Sequence, residues 1–191
     1  MCGVDERLIS LAATDFALFE VSAQFAQDRA VLDSRWKALQ RQAHPDRFAA
    51  QGGAAQRQAM QWSVRINEAY QRLKDPLKRA AYLCELAGAA VNAESNTAMP
   101  AQFLMQQMQW REDLDDATDM ADMDALHADL KRSREETLAR CGHLLDVQHD
   151  AKAAVAEVRA LMFIERFAGD LDRRAEQLES HQLAAGNTAQ R

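Results

Sequence analysis

Two amphipathic helical patterns, separated by a single proline, constrain this chain more than any other feature of its sequence. In each pattern apolar residues recur at steps of three and four, which places them on one face of a helix. The first pattern follows an N-cap at Asp28 and comprises Leu32, Trp36, Leu39 and Ala43, and the second comprises Ala59, Trp62, Ile66, Ala69 and Leu73. Two such helices can cover each other's apolar faces, so the sequence predicts an antiparallel helical hairpin.

The connection between the two helices is predicted to be a loop that displays the tripeptide His44-Pro45-Asp46. Proline lacks a backbone donor and disfavours helical geometry at the residue before it, so the first helix should end near Ala43. We expect the loop to continue through Gly52 and Gly53, because glycines interrupt helices. The tripeptide should therefore be exposed between the two helices.

The rest of the chain is also predicted to be helical. Asp75-Pro76 provides an N-cap and a proline at the first helical position, which indicates a shorter helix towards Gly88 with Cys84 in its buried face. Residues 89–100 lack an apolar period, so we place a linker there, between domains at residues 14–88 and 101–181. Three more helical patterns predict a three-helix bundle: Ala101–Asp115, Asp122–Leu145 and His149–Glu179. Residues 182–191 are expected to form a flexible tail.

Composition favours the all-α fold class and excludes several functions. Ala, Leu, Gln, Glu and Arg are abundant, whereas the residues typical of strands are scarce. No apolar run approaches the roughly 20 residues that cross a bilayer, so we expect no membrane insertion. Residues 14–88 carry 11 Lys and Arg against 8 Asp and Glu, and residues 89–191 carry 11 against 19. The positive excess is too small to predict a nucleic-acid partner, but the difference suggests a separate partner for each half.

His44-Pro45-Asp46 and its surroundings resemble the signature of J-domains. The tripeptide lies between two amphipathic helices, and Ile66-Asn67-Glu68-Ala69-Tyr70 follows in the second helix. The resemblance implies docking on a DnaK-type chaperone and stimulation of its ATP hydrolysis. The implied contact residues are the tripeptide and a group of basic side chains, Arg35, Lys37, Arg41 and Arg47. One departure is Ala43, a position that is often aromatic in the family and that could loosen the packing beneath the loop.

The second half of the chain narrows the resemblance to the HscB family, the J-type co-chaperones of iron-sulfur cluster assembly. Its continuation is helical and acidic, and the likeness runs from about Asp15 to Glu179. The motifs that carry it are Asp75-Pro76-Leu77-Lys78-Arg79-Ala80-Ala81-Tyr82-Leu83, Phe103-Leu104-Met105 and Arg111-Glu112-Asp113-Leu114-Asp115. The family implies that the chain binds an IscU-type scaffold and delivers it to an HscA-type chaperone. A J-domain co-chaperone for a different client protein is the alternative.

The helix after Pro100 has two apolar faces, one of which could bind the scaffold protein. Phe103, Gln107, Trp110 and Leu114 line one face that can anchor the bundle. A second apolar patch with two methionines is either additional core or an adaptable contact surface. The resemblance assigns scaffold binding to apolar and polar positions, namely Leu104, Met105, Met108 and Phe163 together with Gln109, Glu112 and Asp116. Gln109 departs from the acidic residue expected in the family.

We expect neither an enzyme nor a metal or cofactor site. The tripeptide has no second acid, base or nucleophile at fixed spacing, so it is interpreted as a recognition loop and not as an acid-base pair of His44 and Asp46. Cys141 and His143 diverge on a helix and cannot hold zinc alone. Three widely separated cysteines suit a reducing compartment. The absence of a basic, acid-poor presequence favours the bacterial cytoplasm.

Overall fold

The fold is all-α, which confirms the predicted class. A computed structural model describes residues 13–91, 99 and 101–188, and within these ranges all regular elements are helical. The α-helices of the described residues are α1 (Asp15–Leu18), α2 (Arg29–Gln42), α3 (Gly53–Lys74), α4 (Pro76–Leu86), α5 (Ala101–Asp116), α6 (Met120–Gly142) and α7 (Ala151–Thr188). None of the described helices combines the length and the apolar character needed to cross a membrane.

The predicted hairpin is formed by α2 and α3. The Asp28 carboxylate caps α2 by accepting the amide hydrogens of Ala30 and Val31 at 2.7 and 3.3 Å. The connection differs from the expected open loop, because Pro45–Gln51 form a 3-10 helix and α3 already begins at Gly53. Proline presets the backbone for a first helical position, and the break comes only at Gly52, whose φ of +91° favours glycine.

The N-terminal core lies between α1, α2 and α3. Its buried side chains are Phe16, Phe19, Leu32, Leu39, Ala43, Ile66, Ala69, Tyr70 and Leu73. The sequence did not predict α1, which is only four residues long. Its Asp15 carboxylate is fully buried and pairs with Arg65 and Arg72 of α3 at 2.5 and 2.7 Å. These ion pairs attach α1 to the hairpin.

α4 begins and ends as the sequence predicts. The Asp75 carboxylate accepts the amide hydrogen of Lys78 at 3.1 Å, and Pro76 occupies the first helical position. Gly88 follows the helix with a φ of +74°, and Cys84 is fully buried.

The C-terminal bundle consists of α5, α6 and α7. Its buried core comprises Phe103, Trp110, Ala117, Met123, Leu126, Leu130, Ala160, Ile164, Phe167 and Leu171. α6 continues into a π-helical segment at His143–Val147. α7 extends to Thr188, so it includes the first residues of the predicted tail, and the flexibility of residues 182–191 stays a prediction. Gln182, Leu183, Ala184 and Ala185 all favour helix and propagate it.

A further core joins the two halves of the chain, where α4 packs against α6 and α7. Its buried residues are Ala80, Cys84, Ala89, Cys141, Ala154, Val155, Val158 and Leu161. The division into domains joined by a linker at 89–100 stays a prediction, since residues 92–98 and 100 lie outside the described ranges. This core nevertheless fixes α4 against the bundle.

Candidate partner-binding surfaces

The tripeptide is displayed at the end of α2. The side chains of His44 and Asp46 are 58% and 89% exposed. His44 Nδ1 accepts the Asp46 amide hydrogen at 3.3 Å and lies 3.6 Å from an Asp46 carboxylate oxygen. This arrangement caps the first turn of the 3-10 helix and leaves both carboxylate oxygens of Asp46 for an external donor. It is a geometry suited to recognition.

The backbone beneath the tripeptide is held by buried neighbours. Ala43 and Phe48, on either side of it, are both buried. The Ser63 hydroxyl of α3 donates to the Ala43 carbonyl at 3.2 Å, which ties the end of α2 to the second helix. Ala43 contributes to the N-terminal core despite its small side chain.

The predicted basic residues divide into two groups. Arg35 pairs with the Glu20 carboxylate at 2.6 Å, so part of its charge is neutralised within the chain. Arg41 Nε donates to the Lys37 carbonyl and Arg47 Nη1 donates to the Arg41 carbonyl, both at 3.3 Å. These two guanidinium groups lie at the negative end of α2, a favourable place for cations. Arg41 and Arg47 therefore extend the surface of the tripeptide, and Lys37 is exposed one turn before Arg41.

The register between α2 and α3 is set by polar contacts that sequence reasoning missed. Trp36 Nε1 and Gln40 Nε2 both donate to the Asn67 side-chain oxygen, at 2.8 and 2.7 Å. The Trp36 and Tyr70 rings stack at 4.9 Å. The Tyr70 hydroxyl donates to Asp33 at 2.7 Å, which lowers the pKa of that carboxyl. The segment around Asn67 and Tyr70 thus positions the helix that carries the tripeptide.

α5 buries one apolar face and exposes the other. Phe103 and Trp110 lie in the bundle core. Leu104, Met105 and Met108 are 44%, 72% and 63% exposed. Their exposure excludes additional core as the explanation of the second apolar face. We call these three residues the α5 stripe.

Phe163 lies beside the bundle core and is only partly buried. Its ring stacks with Trp110 and Phe167 at 6.4 and 5.9 Å and meets Phe103 edge to face at 5.9 Å. The Arg111 guanidinium lies 5.6 Å from its ring centroid. The structure therefore places Phe163 mainly in an aromatic cluster that supports α5, with a minor part left for external contact.

The polar positions predicted near the α5 stripe are all at least partly accessible. Gln109 Nε2 donates to Asp113 at 2.8 Å, so its amide is engaged within the helix. Glu112 is exposed. Asp116 lines an open acidic groove between α5 and α6, which also includes Asp113, Asp122 and Asp129. The surface beyond the apolar stripe is therefore acidic, with Arg111 as a cation beside Phe163.

Comparison with known proteins decides the family. The model described as "HSCB C-terminal oligomerisation domain" matches residues 99–172. The Co-chaperone protein HscB homolog of Burkholderia multivorans is 52% identical over 176 residues, which cover 91% of this chain and 100% of that protein. The chain belongs to the HscB family. The predicted family is confirmed, and the chain is therefore a J-type co-chaperone of the iron-sulfur cluster assembly class.

Solved structures of HscB proteins share the fold. Chaperone HscB from Vibrio cholerae is 34% identical, with a TM-score of 0.73 over 87% of this chain and 99% of that one. Human co-chaperone protein HscB is 25% identical, with a TM-score of 0.81 over 87% of this chain and 84% of that one. The arrangement of an N-terminal J-domain and a C-terminal helical domain is thus common to this chain and its HscB relatives.

The cysteines of this HscB-family chain have the properties of core residues. Cys84 and Cys141 are free and buried. Burial raises the pKa of the Cys84 thiol to about 11 and that of Cys141 to about 12, so both remain protonated at neutral pH. Among the described residues no group of three or more His, Cys, Asp and Glu side chains is arranged to hold a metal ion. Cys2 lies outside the described residues.

Proposed function

We propose that this HscB-family protein is a non-catalytic adaptor that binds an IscU-type scaffold through the α5 stripe and delivers it to an HscA-type or DnaK-type chaperone. His44-Pro45-Asp46 docks on that chaperone and stimulates its ATPase activity. The observation that carries the proposal is the exposure of two surfaces of different chemistry, the tripeptide after α2 and the α5 stripe, in two halves of the chain that share the core of α4, α6 and α7. The buried free thiols favour a reducing compartment, which we take to be the cytoplasm.

The chaperone-docking surface combines an exposed carboxylate in a rigid loop with basic side chains nearby. Asp46 offers an exposed carboxylate, and Pro45 together with the buried residues beneath it limits the movement of the loop. Arg41 and Arg47 lie at this end of α2, and Lys37 is exposed one turn earlier; these cations favour approach to an acidic partner.

Steady-state ATP hydrolysis by the chaperone tests the docking surface. His44→Gln replaces the rigid imidazole acceptor that orients Asp46 with a flexible amide, so the stimulation of hydrolysis should be largely lost. His127→Gln is the matched control, because His127 is a partly exposed histidine of α6, far along the chain from the tripeptide. Undiminished stimulation by the His44 variant, measured against this control, would refute the docking role.

The α5 stripe supplies apolar area for a scaffold. Fully burying a Leu or Met side chain contributes about 1.5–3 kcal/mol, and the exposed fractions of 44–72% leave roughly 1–2 kcal/mol per residue for a partner to gain. Methionines adapt their shape to a contact surface. Glu112 and Asp116 add negative charge beside the stripe, which favours a partner surface that is apolar at its centre and basic at its edge.

Calorimetric titration with the scaffold tests the α5 stripe. The double variant Leu104→Ala, Met105→Ala should lose about 2 kcal/mol of binding free energy, or roughly 30-fold in affinity. Stimulation of the chaperone without scaffold should be unchanged. Met60→Ala and Val64→Ala are matched controls, because these residues of α3 are also apolar and are 58% and 57% exposed. Equal affinities for the stripe and control variants would contradict scaffold binding at α5.

Self-association is a second candidate role for the same stripe, because the family model that covers it is described as an oligomerisation domain. Light scattering at several protein concentrations tests it. A dimer that the stripe substitutions dissociate would assign the stripe to a second copy of the chain. A client other than the scaffold would be indicated if the scaffold fails to bind the wild type while chaperone stimulation is intact.

A further inference from the structure

The J-domain and the bundle meet at a carboxylate that binds two consecutive backbone amides. Asp146 Oδ1 accepts the Phe25 amide hydrogen at 2.6 Å, and Asp146 Oδ2 accepts that of Ala26 at 2.8 Å. The partners are about 120 residues apart in sequence. Hydrogen bonds to an ionised carboxylate are among the stronger ones in proteins. This bidentate contact attaches the segment before α2 to the end of α6.

The backbone around Asp146 is unusual, since it is a π-helical segment. The Gln148 amide donates to the His143 carbonyl at 3.0 Å, the wider spacing of a π turn. Such turns change the direction of the side chains that follow, and they occur often at functional sites. Here the turn places the Asp146 carboxylate against the J-domain, while Leu144 and Leu145 pack against the core shared by the two halves.

The Phe25 ring fits closely between the two halves of the protein. A Cβ atom at Gly142 would lie 3.0 Å from Phe25 Cδ1 and 3.3 Å from Cε1, so a larger residue there requires the ring to move by a few tenths of an ångström. On the J-domain side, the Arg79 guanidinium lies 5.1 Å from the centroid of the ring. Arg79 is itself buried and donates to the Leu73 carbonyl at 2.5 Å. The ring is therefore positioned by both α4 and α6.

The segment held by Asp146 leads directly into α2. Asp28, two residues after Ala26, caps that helix, and His44-Pro45-Asp46 follows its other end. α2 has 14 residues, so it is about 21 Å long. Because α2 is packed on α3, the two helices would move together, and a rotation of about 10° at the start of α2 would displace the tripeptide by about 4 Å. Contacts at residues 25 and 26 can therefore control the position of the chaperone-docking surface.

We propose that Asp146, Gly142 and Phe25 form a latch that fixes the direction of α2 relative to the bundle, so that a scaffold bound to α5 is presented to the chaperone in one orientation. The latch residues are positioning residues and do not contact either partner. The effect of the latch on scaffold presentation rests on the proposed adaptor function. The latch contacts themselves do not depend on that function. We expect that loosening the latch leaves scaffold binding and basal chaperone stimulation intact but weakens the additional stimulation that bound scaffold produces.

Amide hydrogen exchange, followed by NMR, tests the latch in the free protein. Asp146→Ala should accelerate exchange of the Phe25 and Ala26 amides by about 10-fold or more, because both lose their acceptor. Asp150→Ala is the matched control, since the Asp150 carboxylate also accepts a backbone amide hydrogen, that of Ala153, but within its own helix region. Unchanged exchange at Phe25 and Ala26 in the Asp146 variant would overturn the proposal.

Chaperone ATPase assays with and without scaffold test the consequence. Asp146→Ala should retain scaffold affinity and the stimulation seen without scaffold, but it should lose most of the additional stimulation that scaffold produces. Asp150→Ala should retain all three. Full scaffold-dependent stimulation by an Asp146 variant with accelerated exchange would overturn the positioning role. A wild type that neither binds scaffold nor stimulates the chaperone would instead refute the adaptor function, with the exchange result still valid.

Two milder variants separate positioning from loss of folding. Asp146→Asn keeps one acceptor oxygen in the same shape, so it should have an intermediate exchange rate and intermediate scaffold-dependent stimulation. Gly142→Ala should shift the Phe25 ring slightly while placing a good helix former at that position, so it should change exchange and scaffold-dependent stimulation in the same direction as Asp146→Ala but less. Wild-type behaviour of both variants would show that neither contact positions α2.

Discussion

Replacing Trp110 with Phe tests how α5 is anchored to the bundle. The indole is 1% exposed and lies within the aromatic cluster. Its Nε1–H donates to an Asp129 carboxylate oxygen of α6 at 2.7 Å. Phenylalanine keeps the stacking with neighbouring rings but removes this donor. The substitution therefore isolates the contribution to stability of one hydrogen bond and of a small decrease in side-chain volume.

The expected cost follows from the surroundings of the two groups. A hydrogen bond to a charged group contributes about 1.5–3 kcal/mol, and the void left by the smaller ring costs about 1 kcal/mol. Asp129 also pairs with Arg132, and its side chain is 32% exposed, so water and Arg132 can partly replace the indole. Trp110→Phe should thus lower the free energy of unfolding by about 2–3 kcal/mol.

Urea unfolding followed by far-ultraviolet circular dichroism measures this change, because the signal is independent of tryptophan fluorescence. With an m-value near 2 kcal/mol per molar, the midpoint should fall by about 1 M. Trp36→Phe is the matched control. Its Nε1–H donates to the neutral Asn67 amide on the surface, so the loss should be about 0.5–1 kcal/mol. A Trp110→Phe loss no greater than that of the control would refute the carboxylate anchor.

Three other results are expected. The raised thiol pKa values of Cys84 and Cys141, about 11 and about 12, mean that the unfolded chain loses these protons first. Their contribution to the free energy of unfolding is thus complete below pH 9 and should decline as pH rises towards 11. Replacing both by Ala should make the alkaline loss of stability in urea titrations smaller. Gly88→Ala should lower the thermal midpoint, because a φ of +74° strains alanine by about 1 kcal/mol. Alkaline absorbance titration should show Tyr70 ionising late, since its hydroxyl donates to the Asp33 carboxylate and its pKa is raised; Asp33→Asn should reverse this.

Helix positions were predictable from sequence because they depend on neighbours in the chain. The period of apolar residues located α2 and α3, and the Asp75-Pro76 pair located the start of α4. The segment between α2 and α3 was harder, because a proline that ends one helix can also begin another, here the 3-10 helix. Short α1 has too few residues for a period, and buried Asp15 gives no sequence signal of its partners.

The candidate surfaces were predictable only as residue types. The spacing of Leu104, Met105 and Met108 does not tell whether these residues are exposed or buried, because a helix with two apolar faces can pack against the bundle through either face. The pairing of Arg35 with Glu20 depends on the path of the chain after α1, where Glu20 adopts a positive φ of 51°. Such contacts are tertiary, and they produce no periodic pattern in the sequence.

The shared core between the J-domain and the bundle determines what an adaptor of this kind can achieve. Two modules on a flexible linker sample many orientations, which gives only millimolar effective concentrations. Modules held in one orientation give a much higher effective concentration if that orientation lets both partners bind at the same time. They give none if the orientation prevents it. Because α4 packs on α7 and Asp146 holds the segment before α2, the proposed adaptor relies on one orientation. Substitutions at this junction should therefore affect coupling more than either binding step, which distinguishes it from the two partner surfaces.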